Sequence, residues 1–520
     1  MSDANNNNSI DQPNILHFFV DQMRFDTIRA LGNMNIKTPA LDRLAAQGCT
    51  FENAYSPSPV CIPARASMIY GQYPHRTNCY ENNFPMPTDG RKSFMDVLTD
   101  AGYRTHGVGK CHFTPNPLAL RGFQTRETQE ELPSHPDNDD YLKYLKLNGL
   151  GYVIDPHGVR GEMYYIPQVS QIPPEHHPTK WVADRSIAFL DEHERHDAPW
   201  YLFASFIHPH PPFSPPTPWH KMYGIEDVPL PNIPFQYEHM LSYVNRAQNR
   251  YKYKDQGVDF NLIRMIRAYY YSCISYIDHQ IGRILEILDR KGSTQHTLII
   301  FTSDHGEYLG DYNSFGKRGM HDAAARIPMI LSQPGKFDGG KIVDAPVSLV
   351  DLAPTIFASI GSDVECPVAR TMDGIPLQSV VDGTAGREVV FSQLAYVEQA
   401  DGTSGDKFFA NEAVTSEQRA ASSSYMVVSK DHKYVYSALD DKEFFFDKQI
   451  DPNETRNRIH SAKYREHITA LKKALIGHLV AGGETDGILD GDWVRYPPKK
   501  LSEDPDYGLL HQDQMWTMGD

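Results

Sequence analysis

Four short β-prone runs, each stopped by a cluster of polar residues, recur along this chain and narrow its fold more than any other feature. Asn14–Val20 (NILHFFV) runs into Asp21-Gln22, Tyr103–Val108 into Gly109-Lys110, Trp200–Ile207 into His208-Pro209-His210, and Thr297–Thr302 into Ser303-Asp304-His305. Helical patterns lie between them at Pro39–Gln47, Arg91–Ala101, Pro178–His193 and Leu262–Leu288. The last keeps apolar residues at a spacing of about 3.6, with Gly282 its only internal breaker. Strands alternating with helices predict an α/β fold, a large and mostly parallel sheet sandwiched by helices. Such sheets take their ligands outside the carboxyl ends of the strands, where all four polar clusters stand.

Near Gly383–Glu388 the pattern changes. Residues 421–447 hold short β runs around a polar Lys430-Asp431-His432 turn, as in an antiparallel meander, and His460–Val480 reads as an amphipathic helix. Gln399–Ala421, polar and bearing Gly and Ser, reads as a surface loop. With 520 residues the chain exceeds one ordinary core. The expected organisation is therefore a large domain at 12–385 and a smaller α+β subdomain at 386–520 with an antiparallel sheet and a helix.

Composition removes several classes of function. At 40% hydrophobic and 22% charged residues the chain offsets its ordering entropy and is globular. Fifty basic against 66 acidic side chains leave a net charge of −16, which repels phosphate backbones and anionic lipid. No nucleic acid and no membrane is expected as a partner, whereas a small anionic substrate stays open because a local cationic cluster overrides the global sign. Six irregularly spaced cysteines do not make a disulfide framework and fit a reducing compartment. The opening MSDANNNNSIDQPNI has neither Lys nor Arg nor an apolar run, and no segment reaches the roughly 18 apolar residues of a membrane span. The expected location is cytoplasmic, or periplasmic if a leader has been removed.

Chemistry concentrates at a few positions. Cys61-Ile62-Pro63-Ala64-Arg65-Ala66-Ser67 reads as a loop entering a helix, with Pro63 suited to the first turn. Cys61 then sits at the helix N-terminus, where negative charge is favoured, and Arg65 lies one turn along the same face. Alone, this reads more readily as an ordinary buried Cys before a helix with a surface Arg. Asp21-Gln22 and Asp304-His305 offer oxygen and nitrogen donors that can converge on one divalent cation, although a strand-end Asp is as often a helix cap. Lys110, His112, His208 and His210 bring cationic and acid/base groups to two further strand ends, or are turn residues. Lys317, singly, reads as a solvated loop charge.

Together these ordered motifs resemble the sulfatases of the alkaline-phosphatase superfamily, over nearly the whole chain. The C-x-P-x-R hallmark stands as Cys61-Ile62-Pro63-Ala64-Arg65, G-K-x-H as Gly109-Lys110-Cys111-His112, and the paired histidines as His208-Pro209-His210-Pro211. D-H-G stands as Asp304-His305-Gly306, the later lysine as Lys317, and the tail motif D-P-x-E-x-x-N as Asp451-Pro452-Asn453-Glu454-Thr455-Arg456-Asn457. The resemblance implies an alkaline-phosphatase-like fold and a sulfuric ester hydrolase whose Cys61 is converted to formylglycine by a formylglycine-generating enzyme. It assigns Cys61, Arg65, Lys110, His112, His210 and Lys317 to catalysis, and His208, Asn82 and His321 to substrate. Asp21, Gln22, Cys61, Asp304 and His305 would hold one divalent cation, Ca²⁺ by family habit, with Mn²⁺ the alternative.

Two departures bear on that assignment. Most sulfatases carry two aspartates after the first strand, whereas Asp21-Gln22 is the pairing of choline sulfatases and phosphonate monoester hydrolases, and His305 replaces a common Asn. The intact Gly109-Lys110-Cys111-His112 follows the sulfatase pattern instead.

In the implied mechanism a metal-activated formylglycine gem-diol attacks sulfur, with Lys110, Lys317 and His210 meeting the sulfuryl charge. His210 or Lys317 protonates the leaving alcohol, Arg65 holds the nucleophile, and His112 collapses the sulfated gem-diol. The primary reading is hydrolysis of a sulfated carbohydrate or other small organic sulfate ester. A phosphonate monoester or phosphodiester hydrolase is the alternative, and a non-catalytic anion or metal binder the third. Substrate choice is expected from the loops Phe113–Tyr165 and Pro212–Lys254.

Overall fold

The computed structural model describes residues 12–503, apart from 161–162, 194–195, 197, 253–258, 362–370 and 398–413. Its main sheet has eight strands: β1 (Asn14–Val20), β2 (Cys49–Phe51), β3 (Arg104–Gly109), β4 (Thr125–Thr128), β5 (Trp200–Phe206), β6 (Thr297–Ser303), β7 (Met329–Ser332) and β8 (Lys341–Val343). They lie in the order β4-β3-β5-β1-β6-β7-β2-β8, and β7 alone runs against the others. The four strands expected from the sequence are thus neighbours at the centre. The short strands β2, β4, β7 and β8 flanking them gave no comparable signal, because three or four residues are too few to show a period.

β1 shows why the sheet is covered on both sides. Leu16, Phe18 and Val20 enter one core with helices α1 (Pro39–Gln47), α4 (Pro178–His193) and α5 (Phe260–Arg290), while Ile15 and Phe19 enter another. That second core holds α2 (Cys61–Tyr70) and α3 (Phe94–Asp100). Alternating side chains that are apolar on both faces belong to a strand buried on both faces.

Helix boundaries shift where a cap decides them. The helix expected at Arg91–Ala101 begins at Phe94, because the Ser93 side chain accepts from the Asp96 N–H and the Asp96 carboxylate accepts from the Ser93 N–H. Part of the loop expected at Gln399–Ala421 lies outside the described residues. Within the rest, Ser416–Ala421 is a short helix closed by a Thr415/Gln418 capping box.

A second, four-stranded antiparallel sheet is formed by β9 (Val389–Ala395), β10 (Ser423–Ser429), β11 (His432–Ser437) and β12 (Lys442–Asp447), a meander around the expected 430–432 turn. One face packs on Tyr55, Tyr308 and Tyr312 of the larger part; the other is covered by the helix Arg465–Ala481, which starts five residues later than the sequence pattern suggested. The Asp451–Asn457 segment joins these layers. Asp451 accepts from the N–H groups of Thr455 and Arg456, Asn457 Oδ1 accepts from the Phe445 N–H, and Glu454 Oε2 accepts from the Asp322 N–H at 2.7 Å. Among the described residues no helix is long and apolar enough to cross a membrane, and Cys49, Cys61, Cys79, Cys111 and Cys273 are free thiols.

Candidate active site

Parallel pairing brings the strand ends to one level. Val20 is opposite both Phe206 and Ser303, and Gly109 is opposite Ser205, so Asp21, Asp304 and Lys110 emerge side by side just past the ladder. Helix α2 points its first residue at them. All ten α2 residues are buried, and its N-cap, Val60, has no side-chain oxygen. Asn82 supplies one instead: its Oδ1 accepts from the Ile62 N–H at 3.1 Å.

Cys61 is the meeting point. Its Sγ lies 2.7 Å from Lys317 Nζ, 3.3 Å from His305 Nε2, 3.8 Å from Asp21 Oδ1 and 3.9 Å from Lys110 Nζ. The His112 and His210 side chains approach it as well. Burial opposes a charged thiolate, but the Lys110 and Lys317 ammonium groups and His305 outweigh it and hold the Cys61 thiol well below its ordinary range. Both lysines are in turn raised: burial works against their charge, while Asp21 and Cys61 favour it. The site is built to hold an anion at position 61.

Arg65 ties the carboxylates together. Its Nη2 donates to Asp21 Oδ2 at 3.1 Å, its Nε to Asp304 Oδ2 at 3.1 Å, and its Nη1 to the Lys110 carbonyl at 2.6 Å. All three side chains are essentially solvent-free, so removing one partner would strand a buried charge.

Asp21, Cys61, Asp304 and His305 each bring a ligand atom within 4.8 Å of the others. His305 Nδ1 is 3.0 Å from the Gly306 carbonyl, which leaves Nε2 toward the cluster. Gln22 adds the decisive observation. Its N–H donates to Asp304 Oδ1 at 3.0 Å and its Nε2 to Glu307 Oε2, while its Oε1 is buried with no partner. A buried amide oxygen in that state is costly unless something binds it. Two carboxylates, an amide oxygen and an imidazole suit a divalent cation, so these residues fit the metal the sequence implies.

Three expected site residues are placed differently. His208 turns away from Cys61: Nε2 is 3.2 Å from Ser214 Oγ and Nδ1 3.5 Å from Thr179 Oγ1, and burial lowers it to about 4. His321 pairs through Nδ1 with the Tyr308 hydroxyl at 2.8 Å and lies on Tyr312 at 4.3 Å between ring centroids, where burial lowers it to about 3. Asn82 is beside the site, but its carbonyl oxygen is committed to capping α2.

Two residues were missed by the sequence reading. Glu307 fixes the Gln22 amide and also accepts from the Tyr165 hydroxyl at 3.0 Å; its place three residues after Asp304 was an available signal. Glu131 meets Lys110 Nζ, lies 3.2 Å from His210 Nδ1 and 3.5 Å from Arg160 Nη1. It stands in a loop with no motif, and nothing local marks it.

The sulfatase family model matches residues 13–362, and the model for the C-terminal region of N-sulphoglucosamine sulphohydrolase matches 310–480. An arylsulfatase of Clostridium perfringens is 30% identical over 524 residues, covering 92% of this chain and 97% of that protein. A choline-sulfatase of Rhizobium meliloti is 28% identical over 467 residues, covering 86% of this chain and 82% of that protein. The crystal structure of a phosphonate monoester hydrolase of Agrobacterium radiobacter has the same fold, with a TM-score of 0.76, 24% identity, and 94% of this chain and 100% of that one covered.

Proposed function

The chain belongs to the sulfatase family, and from that premise we propose that it is a sulfuric ester hydrolase releasing inorganic sulfate from a sulfated carbohydrate or another small organic sulfate ester. The observation that carries the reading is the convergence of Lys110, Lys317, His112 and His210 on Cys61 above Arg65, Asp21 and Asp304. The match of residues 310–480 to a sulphoglucosamine sulphohydrolase region supports a sugar sulfate.

Asp21, Gln22, Asp304 and His305 are proposed to hold the cation, Ca²⁺ first and Mn²⁺ second, together with position 61. Sγ of Cys61 stands where an oxygen of formylglycine would be after maturation by a formylglycine-generating enzyme. Bound metal and formylglycine would supply a nucleophilic oxygen of lowered pKa and a counter-charge for sulfuryl oxygens. The chain's own residues do the rest. Arg65 pairs with both metal-facing carboxylates and keeps them oriented. Lys110 and Lys317 place fixed positive charge on the sulfuryl group, and because they are prearranged they cost no reorganisation during reaction.

The two histidines divide the proton work. Burial lowers His210 to about 4, with the Glu131 carboxylate opposing, and an anionic ester beside it favours its protonated form, ready to protonate the leaving alcohol. His112, in a left-handed turn at φ 56° with Nδ1 buried and unpartnered, faces position 61 as a base. His210→Ala should therefore lose about 10²-fold more kcat/KM on a sugar sulfate than on nitrophenyl sulfate, whose leaving group needs little protonation. His112→Ala, whose step follows departure of the alcohol, should instead fall to the same low kcat on both. Equal losses for His210→Ala would remove its proton-donor role.

The alternative, a phosphonate monoester or phosphodiester hydrolase, draws on Gln22 and His305 and on the shared fold. Comparing kcat/KM for nitrophenyl sulfate and nitrophenyl phenylphosphonate decides between them. The sulfatase reading expects sulfate to lead by tenfold or more, about 1.4 kcal/mol in barrier, and a lead for the phosphonate would replace it.

A further inference from the structure

We propose that Glu131 is a charge filter, a specificity-determining residue that admits esters whose transferred group carries one negative charge and disfavours those carrying two. The inference rests on the hydrolase reading above. Lys110 and His210 are the two groups that both approach Cys61 and touch Glu131. Its carboxylate therefore stands directly behind Lys110 and His210, two of the groups that meet the transferred group. Its side chain is only 10% exposed, so water screens it little. Burial works against its charge, but His210, Lys110 and Arg160 outweigh that and hold its carboxyl well below the ordinary range, whereas negative charge at Cys61 pushes the other way. Glu131 and an anion at position 61 thus already repel across the site.

The consequence follows from counting charge. With Glu131 ionised, part of the positive field of Lys110 and Arg160 is spent on it, which leaves less of that field for the transferred group. A phosphate monoester brings a second charge above its second ionisation, near pH 6, and that charge adds to the repulsion from the Glu131 carboxylate. A glutamine at 131 keeps size and hydrogen bonding but returns one unit of positive charge to the site.

Three substrates with the same nitrophenol leaving group test this: nitrophenyl sulfate and nitrophenyl phenylphosphonate, each singly charged, and doubly charged nitrophenyl phosphate. In Glu131→Gln, kcat/KM for the phosphate should rise about tenfold or more relative to the sulfate, while the sulfate-to-phosphonate ratio stays within about threefold. Glu131→Asp, which keeps the charge, should retain the wild-type ratios. Parallel changes on all three substrates, or an unchanged phosphate-to-sulfate ratio, would overturn the filter. If Glu131→Gln does not fold, the wild type still answers: its phosphate-to-sulfate ratio should fall about tenfold as pH rises through the phosphate's second ionisation near 6, and a flat ratio overturns the proposal. A metal-loaded wild type that hydrolyses none of the three overturns the hydrolase reading, and the filter with it.

Discussion

Cys61→Ala is expected to fold as the wild type does and to lose at least about 10³-fold in hydrolysis, the scale of removing a covalent nucleophile. Cys61→Ser should be nearly as inactive, because a serine hydroxyl cannot form the aldehyde hydrate that the proposed chemistry uses. The fold is expected to survive because Cys61 is the first residue of α2, and the helix is held by the Asn82 cap and by the apolar residues behind it. Loss of an anion between Lys110 and Lys317 costs local charge balance rather than core packing. Melting transitions of wild type and variant should agree within a few degrees, and residual activity within tenfold of wild type would remove Cys61 from the nucleophile's role. A tryptic peptide across Cys61 about 18 Da lighter than the cysteine form would independently report the modification.

Asp21→Asn and Asp304→Asn should each lose bound metal and activity together. Each substitution keeps shape but removes a charge that Arg65 needs, since its guanidinium is buried between the two carboxylates at 3.1 Å from each. Asp21 also holds Lys110 Nζ at 2.5 Å, so its variant disturbs a buried ammonium as well as the Arg65 guanidinium. Breaking such a buried pair costs about 3–5 kcal/mol, so the loss of activity should come with a lower melting temperature, greater for Asp21→Asn. Elemental analysis provides the check. Metal content unchanged in both variants would mean that the cation binds elsewhere.

Much of the site was legible because its carriers are local. A strand is read from a run of β-prone residues, and a parallel sheet gathers the carboxyl ends of its strands, so Asp21, Lys110, His210 and Asp304 could be assigned to one edge before any contact was known. α2 was legible for a similar reason: Pro63 in the first turn and no breaker before Gly71, which ends the helix at φ 62°.

Direction was not legible. His208 and His210 are two residues apart in one turn, yet one faces Thr179 and Ser214 and the other Cys61 and Glu131. Past the last ladder bond the backbone is irregular, and no period says which way a side chain goes. Packing against distant elements decides it. The same holds for His321, drawn to Tyr308 and Tyr312, and for Asn82, whose role depends on Val60 lacking a capping oxygen. The sequence by itself determined the four central strands, the helix that begins at Cys61, and the chemistry assembled at one sheet edge. Only the tertiary structure decided which groups reach the reacting position and which carboxylates, Glu131 and Glu307, stand behind them. Secondary structure follows from neighbours along the chain, whereas a hydrogen bond such as Gln22 to Glu307 joins residues 285 positions apart, a separation at which no local pattern carries information.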